Sequence, residues 1–232
     1  MLNGGAGSDT YLVGGVNDGW DVYADSGTSG TDRILATQAG TVIGLKTFGP
    51  ASGIEAISAN GYANVILSGH WEGGVLDFSA TTLTGIAEIQ GNGWIDIVTG
   101  GGGSDTIRGL AGNDVLKGAG GNDLLDGGDG TDTAVFAGNF ADYSFVQNAD
   151  GSWQATGIAN GGLADGSDRL VAIETLQFAD KTMTLSATGP VAATAPAAGG
   201  ATGGAVSTPL STAVIHAPDV PVATGSQDIV GF

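Results

Sequence analysis

Apolar residues along this chain come in short bursts separated by glycine-rich polar stretches, and never in long runs. Between residues 91 and 135 the bursts fall into register at nine residues: "GNGWIDIVT", "GGGGSDTIR", "GLAGNDVLK", "GAGGNDLLD", "GGDGTDTAV". The eighth position carries Val98, Ile107, Leu116, Leu125 and Ala134. The sixth is always aspartate, at Asp96, Asp105, Asp114, Asp123 and Asp132, and the first is always glycine, at Gly91, Gly100, Gly109, Gly118 and Gly127. Such a unit predicts a glycine-rich turn followed by a very short strand, because glycine turns sharply through positive φ and the remaining residues are few. The middle strand residue points opposite to its neighbours, so the eighth position faces inward and stacks into a thin core. Two units then make one flattened coil, and units n and n+2 lie on the same edge, ~4.8 Å apart. Asp96, Asp114 and Asp132 run down one edge, and Asp105 and Asp123 down the other.

Weaker echoes of the unit flank this core. "GGAGSDTYL" at residues 4–12 and "GTSGTDRIL" at 27–35 repeat it, with "DGWDVY" between them. Residues 1–53 therefore read as degenerate repeats in which Asp9 and Asp32 share an edge and Asp21 lies opposite. In residues 54–90 the runs "GIEAI", "NVIL", "GVLDF" and "GIAEI" recur without the aspartate column. They predict metal-free coils of the same roll or helix, held by Ile57, Ile66, Leu76, Phe78 and Ile89. Past residue 135, "DYSFVQNADGSWQAT" reads as two strands around an Asp-Gly turn. Residues 136–185 are thus expected to form a hairpin cap over the open end, which a coiled stack requires. Residues 186–225, rich in Ala, Pro, Gly and Thr, read as a flexible linker. The expected fold is all-β.

Composition then narrows the chemistry. Among 232 residues, 44 are glycine, 24 are Asp or Glu and only 6 are Lys or Arg, for a formal charge of −18. Nucleic acid is excluded as a partner for such a surface. Aspartate outnumbers glutamate by 20 to 4, and short acidic side chains at turns suit a hard cation. Stacked carboxylates would repel unless a cation lay between them, and the neighbouring turns offer carbonyl oxygens. Ca²⁺, with ~6–8 oxygen ligands at flexible distances, fits that cage better than Mg²⁺. Cysteine is absent, which removes disulfides and thiolate metals. No apolar run is long enough to span a membrane, and the start "MLNGGAGSDT" lacks the basic and apolar regions of a signal peptide.

The nine-residue unit resembles the RTX (haemolysin-type) calcium-binding repeat, G-G-x-G-x-D-x-U-x, a pattern whose physical reading is general. The resemblance implies a right-handed parallel β-roll that folds on binding several Ca²⁺ ions, in a monomeric protein secreted from Gram-negative bacteria by an ABC-type exporter. It implies side-chain ligands at the five aspartates, with Asp9 and Asp32 as further candidates. Carbonyl ligands would come from Gly101, Gly103, Gly109, Ala111, Gly118, Gly120, Gly127 and Asp129. Trp94 departs from glycine at the fourth position, which sets the Asp96 site apart. Asp126, Asp129 and Asp142 read as solvated turn carboxylates, His70 beside Glu72 as a surface loop, and Trp20, Trp71, Trp94 and Trp153 as packing residues. No H-E-x-x-H, G-x-S-x-G or P-loop pattern occurs, so the chain itself is expected to be non-catalytic. Two other readings stay open. The chain resembles the C-terminal part of a secreted protease, lipase or alginate epimerase whose catalytic domain precedes it, a repeat following at once on Met1. It also resembles a spacer in an adhesin or surface layer. The ending "GSQDIVGF", residues 225–232, resembles the C-terminal address of type I export, with residues 226–232 as the signal.

Overall fold

The computed structural model describes residues 1–16, 19–25, 29–160 and 162–192. In them the chain winds into parallel coils whose inward positions form continuous columns. One sheet stacks Ile43, Leu67, Ile89, Ile107, Leu125 and Leu170, each in register with the next. A second stacks Leu76, Val98, Leu116, Ala134 and Leu176. All of these are at most 2% exposed, and burying each large aliphatic side chain contributes roughly 1.5–3 kcal/mol. The eighth position of every nonapeptide faces inward, as its alternation predicts.

Two kinds of coil follow one another. From residue 33 to residue 99 the coils draw on three sheets, as in Ala56–Ser58, Ile66–Gly69 and Gly74–Asp77, then Thr82–Thr84, Glu88–Asn92 and Asp96–Thr99, with a single bridge from Phe48 to Leu76 in place of the third strand in the coil that starts at residue 33. Register advances there by 23 residues from Ile34 to Ile57 and by 22 from Leu67 to Ile89. Past residue 99 the third sheet ends. The strands Thr106–Ala111, Val115–Lys117, Leu124–Asp129 and Thr133–Val135 alternate between two sheets, and each coil takes 18 residues. Residues 1–53 are therefore not two-sided repeats. Their longer coils carry an extra strand, which buries Ile34 and Ile57 completely, whereas a flat two-sided coil has no face for them. Ile66 also differs from expectation: Val65 and Leu67 point inward, and Ile66, between them, is only half-buried.

The C-terminal segment is built into the roll. Tyr143–Gln147 and Trp153–Gly157 form the expected antiparallel hairpin, and the second strand pairs with Ser167–Val171. Ser167–Val171 then resumes parallel pairing with Leu124–Asp129, and Thr175–Gln177 with Thr133–Val135. The hairpin is thus inserted in sequence between consecutive coils, yet in space its strands lie beyond Ser167–Val171 at the end of the sheet, where the cap was expected. Beneath it Phe136 stacks on Phe178 at 5.2 Å, with Phe140, Tyr143 and Phe145 around them. Asp142 is not solvated: it is buried and accepts hydrogen bonds from the Asn139 amide and Asn160 Nδ2, each at 2.8 Å. Residues 186–192, expected to open the linker, are instead structured: Gly189–Ala192 forms a strand against Thr182–Ser186 around a turn with Gly189 at φ 115°. Residues 193–225 and the expected export signal at 226–232 lie outside the described residues. Among the described residues no helix is long and apolar enough to cross a membrane.

Candidate metal centres

Each aspartate of the repeat opens a strand, and its amide donates to the carboxylate one coil further along the chain. Asp96 N donates to Asp114 Oδ1 at 2.8 Å, and Asp114 N to Asp132 Oδ1 at 2.7 Å. On the other edge Asp105 N donates to Asp123 Oδ1 at 2.8 Å. The two predicted edges are therefore real, and every rung commits one carboxylate oxygen to the fold. The second oxygen is different. Oδ2 of Asp114, Asp123 and Asp132 is fully buried and has no hydrogen-bond donor, in residues at most 3% exposed. Burying an unpartnered polar atom costs about 1–3 kcal/mol, and more for a charged one, so three such atoms in register mark places built for something absent from the chain.

The first-position glycines open the space these oxygens face. A Cβ at Gly127 would lie 2.5 Å from Asp132 Oδ2, and one at Gly109 would lie 2.7 Å from the Gly127 carbonyl and closer still to Asp114 Oδ2. At Gly100 the neighbours would be the Gly118 carbonyl at 2.6 Å and Asp105 Oδ2 at 2.7 Å. Each cradle is thus lined by a carboxylate oxygen and a carbonyl from the next coil. All are acceptors, and a buried all-acceptor pocket is costly to leave empty and complementary to a hard cation. Burial pushes the carboxyls of Asp114 and Asp123 up to about 6. It also raises Asp96, Asp105 and Asp132 above the usual carboxylate range.

The candidate aspartates are not equivalent. Asp105 Oδ2 accepts the Gly101 amide at 2.7 Å. Asp96 has both oxygens partnered, Oδ1 by the Gly74 amide and Asn92 Nδ2, Oδ2 by the Asn92 amide. Its unit is the one with Trp94, which does not take the positive φ found at Gly112, Gly121 and Gly130. Of the candidate carbonyls, those of Gly109, Gly118 and Gly127 face the cradles. The carbonyls of Gly101 and Asp129 already accept the amides of Gly120 and Gly112, at 3.3 and 2.9 Å. Gly103, Ala111 and Gly120 lie in the same turns, on the coil-to-coil contacts.

A third ladder lies in the three-sided coils. Asp9 N donates to Asp32 Oδ1 and Asp32 N to Glu55 Oε2, both at 2.6 Å. Carboxylate oxygens of Asp9, Asp25 and Asp32 lie within 4.8 Å of one another, and Asp9 Oδ2 and Asp25 Oδ1 are buried without donors. Asp25, which the sequence reading did not single out, completes this group. Sequence reading also passed over Asp168 and Glu174, which continue the two roll ladders: Asp123 N donates to Asp168 Oδ1 at 2.9 Å and Asp132 N to Glu174 Oε2 at 2.8 Å. The signal for Asp168 was present, since "GSDRL" at 166–170 has the same form as "GSDTI" and "GNDLL".

Trp153 packs against the core as expected, whereas the other three tryptophans do not. Trp20, Trp71 and Trp94 are about half or more exposed, with His70 between Trp20 and Trp71 at 5.4 Å from each ring. His70 lies 3.6 Å from Glu72.

No curated protein matches the chain. Residues 99–134 match a family model, and the match begins at the last residue of the Trp94 unit and ends before the hairpin. That stretch, with its glycine cradles and paired aspartate ladders, consists of four copies of the RTX calcium-binding nonapeptide repeat.

Proposed function

We propose that this chain is a calcium-dependent folding module of an exported protein. The observation that carries the reading is the row of buried, donorless Oδ2 atoms of Asp114, Asp123 and Asp132, each beside a glycine cradle. Asp114, Asp123, Asp132 and Asp105 act as side-chain ligands, with carbonyls of Gly109, Gly118 and Gly127 beside them. Gly101, Gly103, Ala111, Gly120 and Asp129 contribute through their turns. Asp96 ends its ladder on hydrogen bonds instead, and Asp9, Asp25 and Asp32 form a separate centre. Calcium supplies the positive charge that two rows of buried carboxylates lack. The chain's own residues do the rest: Oδ1 fixes each strand to the next coil, and glycine keeps Oδ2 and the carbonyls within reach of one point.

Export through an ABC-type exporter agrees with this reading. A chain carrying 18 uncompensated negative charges repels itself where calcium is scarce, and compacts where it is plentiful. Extracellular modules take calcium at about 0.1–1 mM, which sets the range to test. Circular dichroism in EGTA and then in Ca²⁺ should show β-structure appearing with the ion, and Mg²⁺ at equal concentration should not replace it. A β spectrum indifferent to calcium would overturn the proposal.

A further inference from the structure

The donorless oxygens of the roll do not point back into the repeats alone. Each Oδ1 reaches the preceding coil, while Oδ2 lies against its own first-position glycine, beside which Asp114 and Asp132 also meet a carbonyl of the coil that follows. For Asp114 the following coil belongs to the repeats. For Asp123 and Asp132 it is the coil formed after the hairpin, 45 and 42 residues further on. The space beside Gly127 makes this concrete, because it is bounded by Asp132 Oδ2 and by the carbonyl of Ala172. Beside Gly120 the nearest backbone atom is the Ala164 carbonyl, at 3.3 Å from a built Cβ. Asp132 Oδ2 therefore faces a carbonyl outside the repeat, and Asp123, whose own Oδ2 is orphaned, is held through its amide by Asp168 of the same returning coil.

We infer that the returning coil closes one further calcium site on each edge, through Asp168 with Asp123 and through Glu174 with Asp132, so that the ion fastens the hairpin-bearing segment to the roll. This rests on the calcium reading above and extends it to residues that the nine-residue period does not reach. Asp168 is 3% exposed and continues the edge of Asp123, whose amide its Oδ1 accepts at 2.9 Å. Glu174 stands where the period would place an aspartate, but its turn is shorter: Ala172 and Glu174 are two residues apart, while their register partners Gly127 and Asp132 are five apart. The extra methylene of glutamate restores the reach that the shorter turn removes. The returning segment, including Ser167–Val171 and Thr175–Gln177, is thereby tied to the ion content of the roll, and the inserted strands Tyr143–Gln147 and Trp153–Gly157 are tied through it.

Asp168→Asn and Glu174→Gln test this in the full chain. Each keeps an acceptor for the Asp123 or Asp132 amide and removes the charge. Calcium stoichiometry by calorimetric titration should fall by one ion in each variant and by two in the double variant. Hydrogen exchange at graded calcium supplies a readout that needs no substitution: in the unaltered protein, residues 143–147, 153–157 and 167–171 should gain protection together with 124–129. If the unaltered protein binds no calcium, the underlying reading fails. If it binds calcium, but the variants keep its full stoichiometry or residues 143–171 are protected equally in EGTA, this inference fails while the calcium reading stands. A variant that does not fold leaves the exchange measurement to decide.

Discussion

A methyl group at residue 109 would meet the Asp114 carboxylate and the Gly127 carbonyl, whereas one at residue 102 would meet nothing within 4 Å. Gly109→Ala should therefore cost about 1–3 kcal/mol, as overpacking does, and remove a calcium ion, while Gly102→Ala should leave both melting temperature and stoichiometry nearly unchanged. Aspartates divide in the same way. Asp114→Ala should lower stoichiometry; Asp142→Ala should instead loosen the base of the hairpin, where Asn139 and Asn160 donate to it, and leave the ion count intact in titration calorimetry. Protonation offers a third handle. Burial lifts Asp114 and Asp123 from 3.8 to about 6 and Asp168 to about 7. Groups whose folded values lie above their unfolded ones stabilise the metal-free fold below the unfolded value, and that contribution is lost as pH rises through the folded one. In EGTA, then, β-structure measured by circular dichroism should increase as pH falls from about 7 toward 4, and calcium affinity should weaken over the same range because protons and the ion compete for the same oxygens. A metal-free spectrum unchanged across that window would contradict the burial of these groups.

Among the elements, the most economical is the turn that ends an acidic ladder. Gly53–Ile54–Glu55 and Ala172–Ile173–Glu174 share one design: a residue at positive φ, a buried isoleucine and a glutamate accepting the amide of the aspartate one coil earlier. Ala172 adopts φ 47° with a side chain, a conformation that costs about 1–2 kcal/mol outside glycine. Ala172→Gly should therefore raise the denaturant midpoint in saturating calcium by the equivalent of roughly 1 kcal/mol, and an unchanged or lower midpoint would count against that strain. These elements also mark where sequence reasoning reaches and stops. The nine-residue columns expose the inward stack and both edges because turn and strand lengths are constant there. Glu55 and Glu174 escaped because a shortened turn and a longer acid preserve geometry while breaking the period. Asp168 escaped because the hairpin separates it from Asp123 by 45 residues. The three-sheet coils were hidden by their variable length, and Asp25 by standing where other coils have glycine.

Across residues 1–192 the stack is quasi-one-dimensional, so its stability is a sum over neighbouring coils and the charge they share. Calcium-driven folding of such a stack should be cooperative, with β-structure rising more steeply in a calcium titration than a single independent site allows; a hyperbolic curve would mean that the coils load separately. The ladders also have a direction. In each one the amide of an earlier aspartate is held by the carboxylate of a later one, from Asp96 to Glu174 on one edge and from Asp105 to Asp168 on the other. A coil therefore cannot finish its own edge until the coil after it exists. The earlier repeats thus depend on the later ones, and both edges end on the coil that carries Asp168 and Glu174. Completion of both edges therefore requires the chain through residue 174, so that a piece ending within the repeats leaves its last carboxylate rungs open.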